Sequence, residues 1–340
     1  MQLNGVNNTS KINQVRINKN KKNRSNNVNR NLLIMGLAVL IFTTLFMVYN
    51  VDLNHIEYVM SKRIPKVIAI ILGGGCIAFT TIIFQTITNN QILTPSVLGL
   101  DSLYVLVQTI IVFLFGSTSL FITNKNYNFI INVMIMILAS VLLYKVLFEK
   151  GKNDIFFLLL VGMIFGTLFK SGSSFMQMII DPNEFQALQS SMIASLSNIN
   201  TDILIISGIM IIAIIPFICD DIKYLDVISL GRDQAINLGV DYDSIVKKMI
   251  IVISILVSIS TALIGPMTFL GLIVANIARQ GLNTYKHKYL ILGATFISII
   301  TLVGGQFFVQ HVFKFETTLS VIINFIGGIY FVQLLLKESK

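Results

Sequence analysis

The sequence predicts an all-α polytopic membrane protein of about ten transmembrane helices. Its 340 residues are 54% hydrophobic and only 12% charged, with a mean hydropathy of +0.79, about half the charged fraction of an ordinary globular domain. Apolar residues come in long unbroken runs. An α-helix rises about 1.5 Å per residue, so a bilayer core about 30 Å thick takes roughly 20 of them. Barrel strands would alternate over about ten residues instead.

Taken in order, the apolar windows fall at 32–49, 64–87, 98–122, 128–148, 155–179, 202–219, 245–264, 267–281, 289–312 and 318–336. The third, eighth and ninth have soft edges. Before them lies an arm, residues 1–31, with no acid and seven bases: Lys11, Arg16, Lys19, Lys21, Lys22, Arg24 and Arg30. It reads as a basic, disordered cytoplasmic tail ahead of a permease domain spanning 32–340. With the N-terminus inside and ten spans, nineteen bases lie on the inner side. Six lie elsewhere: Lys62, Arg63, Lys66, Lys125, Lys170 and Lys314. That asymmetry predicts a multi-pass cell-membrane protein with both termini in the cytoplasm, and it accounts for the net charge of +9 without nucleic acid. The first apolar run is long and follows a polar arm, so a cleavable signal peptide is not expected.

Cys76 and Cys219 are far apart and give no disulfide framework. His55, His287 and His311 form no ligand spacing with them, and each reads as structural or solvated. No metal site and no resident cofactor are expected.

Transport needs an energy source, and the spans offer little. Acids are missing between Asp101 and Glu149 and between Asp243 and Glu316, which disfavours proton coupling. Asp101 and Asp202 sit at span ends, where a helix N-terminus accounts for them. The Gly151-Lys152 pair is followed by Asn153 and lacks the first glycine of a phosphate loop, so ATP hydrolysis would belong to a partner. The docking candidate is the polar stretch 224–243. Within it Leu230, Gly231, Arg232, Ala235, Leu238 and Gly239 outline a short helix bracketed by glycines. The leucines and Ala235 fall near one helical face.

These residues resemble the FecCD-type permeases of iron-siderophore and vitamin B12 ABC importers, whose L-G-x-x-x-A-x-x-L-G pattern stands intact at 230–239. The following glycine-rich pattern stands at Gly265 to Arg279, with Ala275 and Asn276 replacing the usual Pro-His. Upstream, Arg63-Ile-Pro65-Lys66, Gln85, Asn90 and Pro95-Ser-Val-Leu98-Gly99 keep the family spacing, with Lys66 replacing Arg, Gln91 replacing Pro and Thr94 replacing the common acid. The wording at 93–104 is similar to the catecholate branch that handles ferric siderophores such as anguibactin or petrobactin. The resemblance covers nearly everything after the basic arm.

The resemblance implies a B12-importer-like fold working beside a second permease, a non-identical paralogue in this branch. It also implies two ATP-binding cassette subunits on the inner face, an extracytoplasmic siderophore-binding protein, and ferric siderophore as substrate in a lipid membrane. The 230–239 segment would couple to the ATPase, and Arg63 and Lys66 would meet acids of the binding protein. Gln85 is carried over to the translocation path, and the turn 150–153 is a gate candidate by family position. B12 or haem as substrate, and a self-sufficient secondary carrier, are the competing readings.

Three further features bear on mechanism. Lys170 is a base deep in a predicted span; it either meets an anionic substrate in the path or snorkels outward or pairs with Asp181. Pro95-x-x-Leu98-Gly99-Leu100 and Pro266-x-x-x-Leu270-Gly271-Leu272 each open a short apolar segment. Opposite membrane sides for the two would fit an inverted repeat of spans 2–5 and 7–10, with chance as the rival explanation. Gly73-Gly74-Gly75 and Gly327-Gly328 suit close helix approach.

Overall fold

Ten apolar helices account for the ten windows in the computed structural model, which describes residues 3–51, 53–150, 155–193, 199–314 and 317–338. The expected gate turn at 150–153 lies, after Lys150, outside the described residues. In chain order the α-helices are α1 (Leu3–Val48), α2 (Ile56–Ile87), α3 (Leu100–Phe115), α4 (Leu120–Thr123), α5 (Lys125–Lys150), α6 (Ile155–Ile179) and α7 (Pro182–Ile193). They continue with α8 (Thr201–Cys219), α9 (Ile222–Ile228), α10 (Arg232–Asn237), α11 (Tyr242–Ile264), α12 (Leu270–Leu282), α13 (His287–His311) and α14 (Leu319–Glu338). Strands are absent among the described residues. Within α1 the segment long and apolar enough to cross a membrane is Asn26–Val48.

Among the described residues eight helices meet the length and hydropathy of a membrane span, and the two shorter apolar ones are α3 and α12. Their sixteen and thirteen residues make roughly 24 and 20 Å of helix, short of a 30 Å core. Non-helical backbone precedes each of them. Ahead of α3 the chain turns through a short 3-10 helix, Pro95–Leu98, and Gly99 at φ 78° starts the helix. Ahead of α12, Gly265 at φ 83° ends α11, and a turn through Pro266 leads to Leu270. Both predicted motifs therefore open broken helices, and backbone away from helical geometry survives at membrane depth where protein surrounds it.

The core forms around α2, against which α11, α12 and α13 pack. Small residues make this closeness available. A Cβ on Gly73 would come within 2.7 Å of Ile264, and one on Gly74 within 2.7 Å of Ser298 Oγ. Gly327 likewise lies against Phe269, whose Cβ would be 2.3 Å from a methyl group added there. Cys76 is buried in this region and Cys219 is exposed. Oriented from this core, α1 lies along α13 and α6 along α3.

Gly271 is the tightest of these contacts, because a Cβ there would meet Thr81 Oγ1 at 2.1 Å, whereas one on Gly208 would meet nothing within 4 Å. Gly271→Ala is expected to lower stability by about 1–3 kcal/mol through overpacking. Gly208→Ala is expected to leave stability unchanged or raise it by up to about 1 kcal/mol through helix propensity. Denaturant-induced unfolding of the purified chain in detergent reads the difference.

Candidate coupling surface and translocation path

The stretch between α8 and α11 folds into the short helices α9 and α10. Leu225 and Ile228 of α9 are buried and hold the unit on the membrane bundle. Gly231 at φ 101° and Gly239 at φ 82° bracket α10, as the spacing predicts; these left-handed conformations suit glycine. Ala235 is fully buried, and its amide donates to Gly231 O at 3.0 Å.

The shared leucine-alanine face does not form. Leu230 and Leu238 are 56% and 64% exposed and Ile236 is 44% exposed, while Ala235 points inward. The reason is length: α10 has six residues, and both leucines lie beyond its ends, where helical periodicity no longer sets direction. The segment thus presents a bare apolar patch. Beside it Arg232 pairs with Asp243 at 3.1 Å and lies over the Tyr242 ring at 6.0 Å. The hydrogen bond and charge of Asp243 hold the guanidinium above its ordinary pKa.

Three braces join this unit to the spans. Lys248 of α11 pairs with Asp221 at 2.6 Å. Tyr242 donates its hydroxyl to Ile87 O at the end of α2 at 3.4 Å. The third is a continuous polar chain. Asp226 Oδ1 of α9 accepts from the His287 amide at 2.8 Å and lies 2.6 Å from His287 Nδ1. His287 Nε2 in turn lies 2.7 Å from Thr86 Oγ1 of α2. His287 is 1% exposed. Its sequence signal is weak, since a lone histidine at a span edge has no motif around it; its role emerges only from partners 61 and 201 residues away.

A second polar cluster lies on the same face. Gln85 Nε2 donates to Gln91 O at 2.6 Å, and Gln85 Oε1 accepts from Arg279 Nε at 3.4 Å. Asn276 donates to Gln91 O at 3.2 Å and to Leu272 O at 3.0 Å. Gln85 is 2% exposed, so in this chain alone it ties the turn after α2 to the last part of α12.

Lys170 is exposed on α6, and Thr167, Ser171 and Ser174 share its exposed side. Their spacing of three and four residues makes one helical stripe. Asp181 accepts from the Asn183 amide at 2.9 Å, and its pairing with Lys170 is not formed among the described residues. Gln177 of α6 donates to Thr109 of α3 at 3.0 Å and to Ser173 at 2.9 Å, which joins the two helices.

At the opposite end, Arg63 Nη1 donates to Phe46 O at 2.7 Å, Met47 O at 3.0 Å and Tyr49 O at 2.9 Å. It thereby caps the carbonyl end of α1, with the guanidinium over the Phe46 ring at 5.7 Å. Lys66 is only 8% exposed, whereas the neighbouring Lys62 is exposed. His311 stacks on Phe307 at 4.5 Å.

A helical bundle with eight helices long and apolar enough to cross a membrane among its described residues, two shorter apolar ones and a short helical pair on one face is a polytopic membrane protein. The chain belongs to the FecCD transport family, which matches residues 26–337. It is 60% identical over 308 residues to the petrobactin import system permease protein YclO of Bacillus subtilis, covering 91% of this chain and 97% of that one. To YclN, a second petrobactin import system permease protein of the same organism, it is 24% identical over 324 residues, covering 90% and 97%. The fold matches, with a TM-score of 0.78 at 19% identity, an inward-facing ABC transporter assigned to the metal-chelate type, over 91% of this chain and 99% of that one.

Removing one partner of a buried polar contact strands the other, at a cost of about 1–3 kcal/mol. His287→Leu and Thr86→Val are each expected to destabilise the chain by that order, and the double variant by clearly less than their sum. Chemical denaturation of the four proteins measures this; additive losses would mean that the two side chains act independently.

Proposed function

We propose that this chain is a membrane-spanning subunit of an ATP-driven importer of ferric siderophore, and that it performs no covalent chemistry itself. The observation that carries the reading is the 60% identity, over nearly the full length of both chains, to a petrobactin import permease. Two permeases of one system in Bacillus subtilis resemble this chain very unequally, at 60% and 24% identity. That inequality favours a non-identical permease as its partner around the path.

The rest of the assembly follows from surface chemistry. Leu230, Ile236 and Leu238 are exposed apolar side chains on a polar segment; a patch of this kind beside an ion pair suits docking of a soluble protein. We assign it to an ATP-binding cassette subunit, one copy on each permease. The basic arm 1–31 and both termini then lie in the cytoplasm, on the side of the bases predicted inside. The push of the closing ATPases passes from α9 through Asp226, His287 and Thr86 into α2 and α13. Outside, a siderophore-binding protein docks near Arg63 and Lys66. Arg63 already caps α1, so its exposed neighbour Lys62 strengthens the basic patch there.

Thr167, Lys170, Ser171 and Ser174 are exposed on α6 beside the apolar Met163, Leu168, Phe175 and Met178, and a lysine within a span suits a water-filled path. A lysine there attracts an anionic ferric catecholate. Gln85, buried on the inner side, serves the path as part of the lock between the turn after α2 and α12.

Proteoliposomes holding both permeases and the ATPase, supplied with binding protein, test the reading. Uptake of ferric petrobactin is expected to require ATP and to resist competition by B12 and haem. Uptake by the chain without an ATPase would make it a secondary carrier, and competition by B12 or haem alone would change the substrate. In the same assay Lys170→Met is expected to reduce uptake severalfold while assembly is preserved, and wild-type uptake would remove Lys170 from the path. Leu238→Asp is expected to release the ATPase during co-purification; undiminished recovery would place the docking surface elsewhere.

A further inference from the structure

Between the starts of the two broken helices lies a small cavity whose polar lining is oxygen only. Asp101, half-buried in the first turn of α3, lines it. Its carboxylate accepts from Thr268 Oγ1 at 3.2 Å and from Thr261 Oγ1 at 3.5 Å. These donors come from the end of α11 and the turn before α12, and Ser96 of the 3-10 turn before α3 also lines the cavity. Lys, Arg and His are absent from the lining.

A carboxylate at membrane depth without a base requires a counter-charge, either a proton or a cation. Two further hydroxyls decide between them. Thr81, 1% exposed, and Thr94, 7% exposed, both line the cavity, and neither side chain makes a hydrogen bond among the described residues. Thr81 Oγ1 faces Gly271 on the opposite wall. A protonated carboxyl has one proton to donate and so serves at most one of these oxygens, whereas a cation in the cavity uses both together with the carboxylate and the lone pairs of the two donating hydroxyls.

Oxygen-only ligands select a hard cation, and a single carboxylate balances a single charge. Clusters of three or more His, Cys, Asp or Glu, as multivalent metals prefer, are absent among the described residues. We propose that this cavity binds one sodium ion, which pins the start of α3 to the turn before α12. Broken helices supply alkali-cation ligands in other membrane folds by the same physical logic. The site does not depend on which substrate is carried or on what powers the carrier.

The test is the melting temperature of the full chain in nanodiscs, titrated with sodium chloride against choline chloride at constant ionic strength, with potassium chloride as a third arm. Sodium is expected to raise it saturably and potassium to do so less. Asp101→Asn should abolish the sodium response, and Thr81→Val should shift its midpoint to higher sodium. If Asp101→Asn does not fold, Thr81→Val carries the test alone. Identical melting in sodium and choline, a full response to potassium, or variants that respond like wild type would overturn the proposal. Melting that follows pH but not sodium would assign the counter-charge to a proton and overturn it equally.

Discussion

The chain Asp226, His287, Thr86 is the interaction on which the rest of this face depends. A polar group buried among apolar helices is costly unless its partners are in place, and in a medium of low dielectric a satisfied chain is correspondingly stiff. Here the first link, at 2.6 Å, belongs to the short helix α9 and the second, at 2.7 Å, to the end of α2, with the imidazole of α13 between them. The segment carrying the exposed leucines therefore cannot shift without moving α2 and α13 or breaking the chain. Covalent continuity alone would have attached it only to α8 and α11.

The helices α3 and α12 stop short of a full crossing and begin next to one another at the Asp101 cavity, while α2 runs past both. Glycine makes the arrangement compact at Gly271, and the Gln85, Gln91, Asn276 and Arg279 cluster ties the turn after α2 to α12. A push arriving at α2 thus reaches the centre of the bundle directly. Gln177 joins α6, which carries Lys170, to α3.

Much of this is legible from the residues. The ten windows, the glycine brackets of α10, the small-residue contact at Gly73 and Gly74, and the two helix-opening motifs all rest on local chemistry, which a sequence carries in full. What escapes is long-range or beyond a helix end. Periodicity assigns Leu230 and Leu238 to the face of Ala235, yet a six-residue helix is too short to impose that face. A helix N-terminus explains Asp101, which is correct as far as it goes; Thr261 and Thr268 lie 160 and 167 residues away and give no local sign. Arg63 is expected to look outward, but the open carbonyls at the end of α1 hold one of its nitrogens.

The account stands or falls on whether force passes through the Asp226, His287 and Thr86 chain. The direct measurement is the number of ATP molecules hydrolysed per ferric siderophore imported by the reconstituted transporter, compared between wild type and His287→Gln. The account predicts hydrolysis near the wild-type rate with uptake severalfold lower, so that the ratio rises. An unchanged ratio in an assembled transporter, whether both rates hold or both fall together, would contradict it.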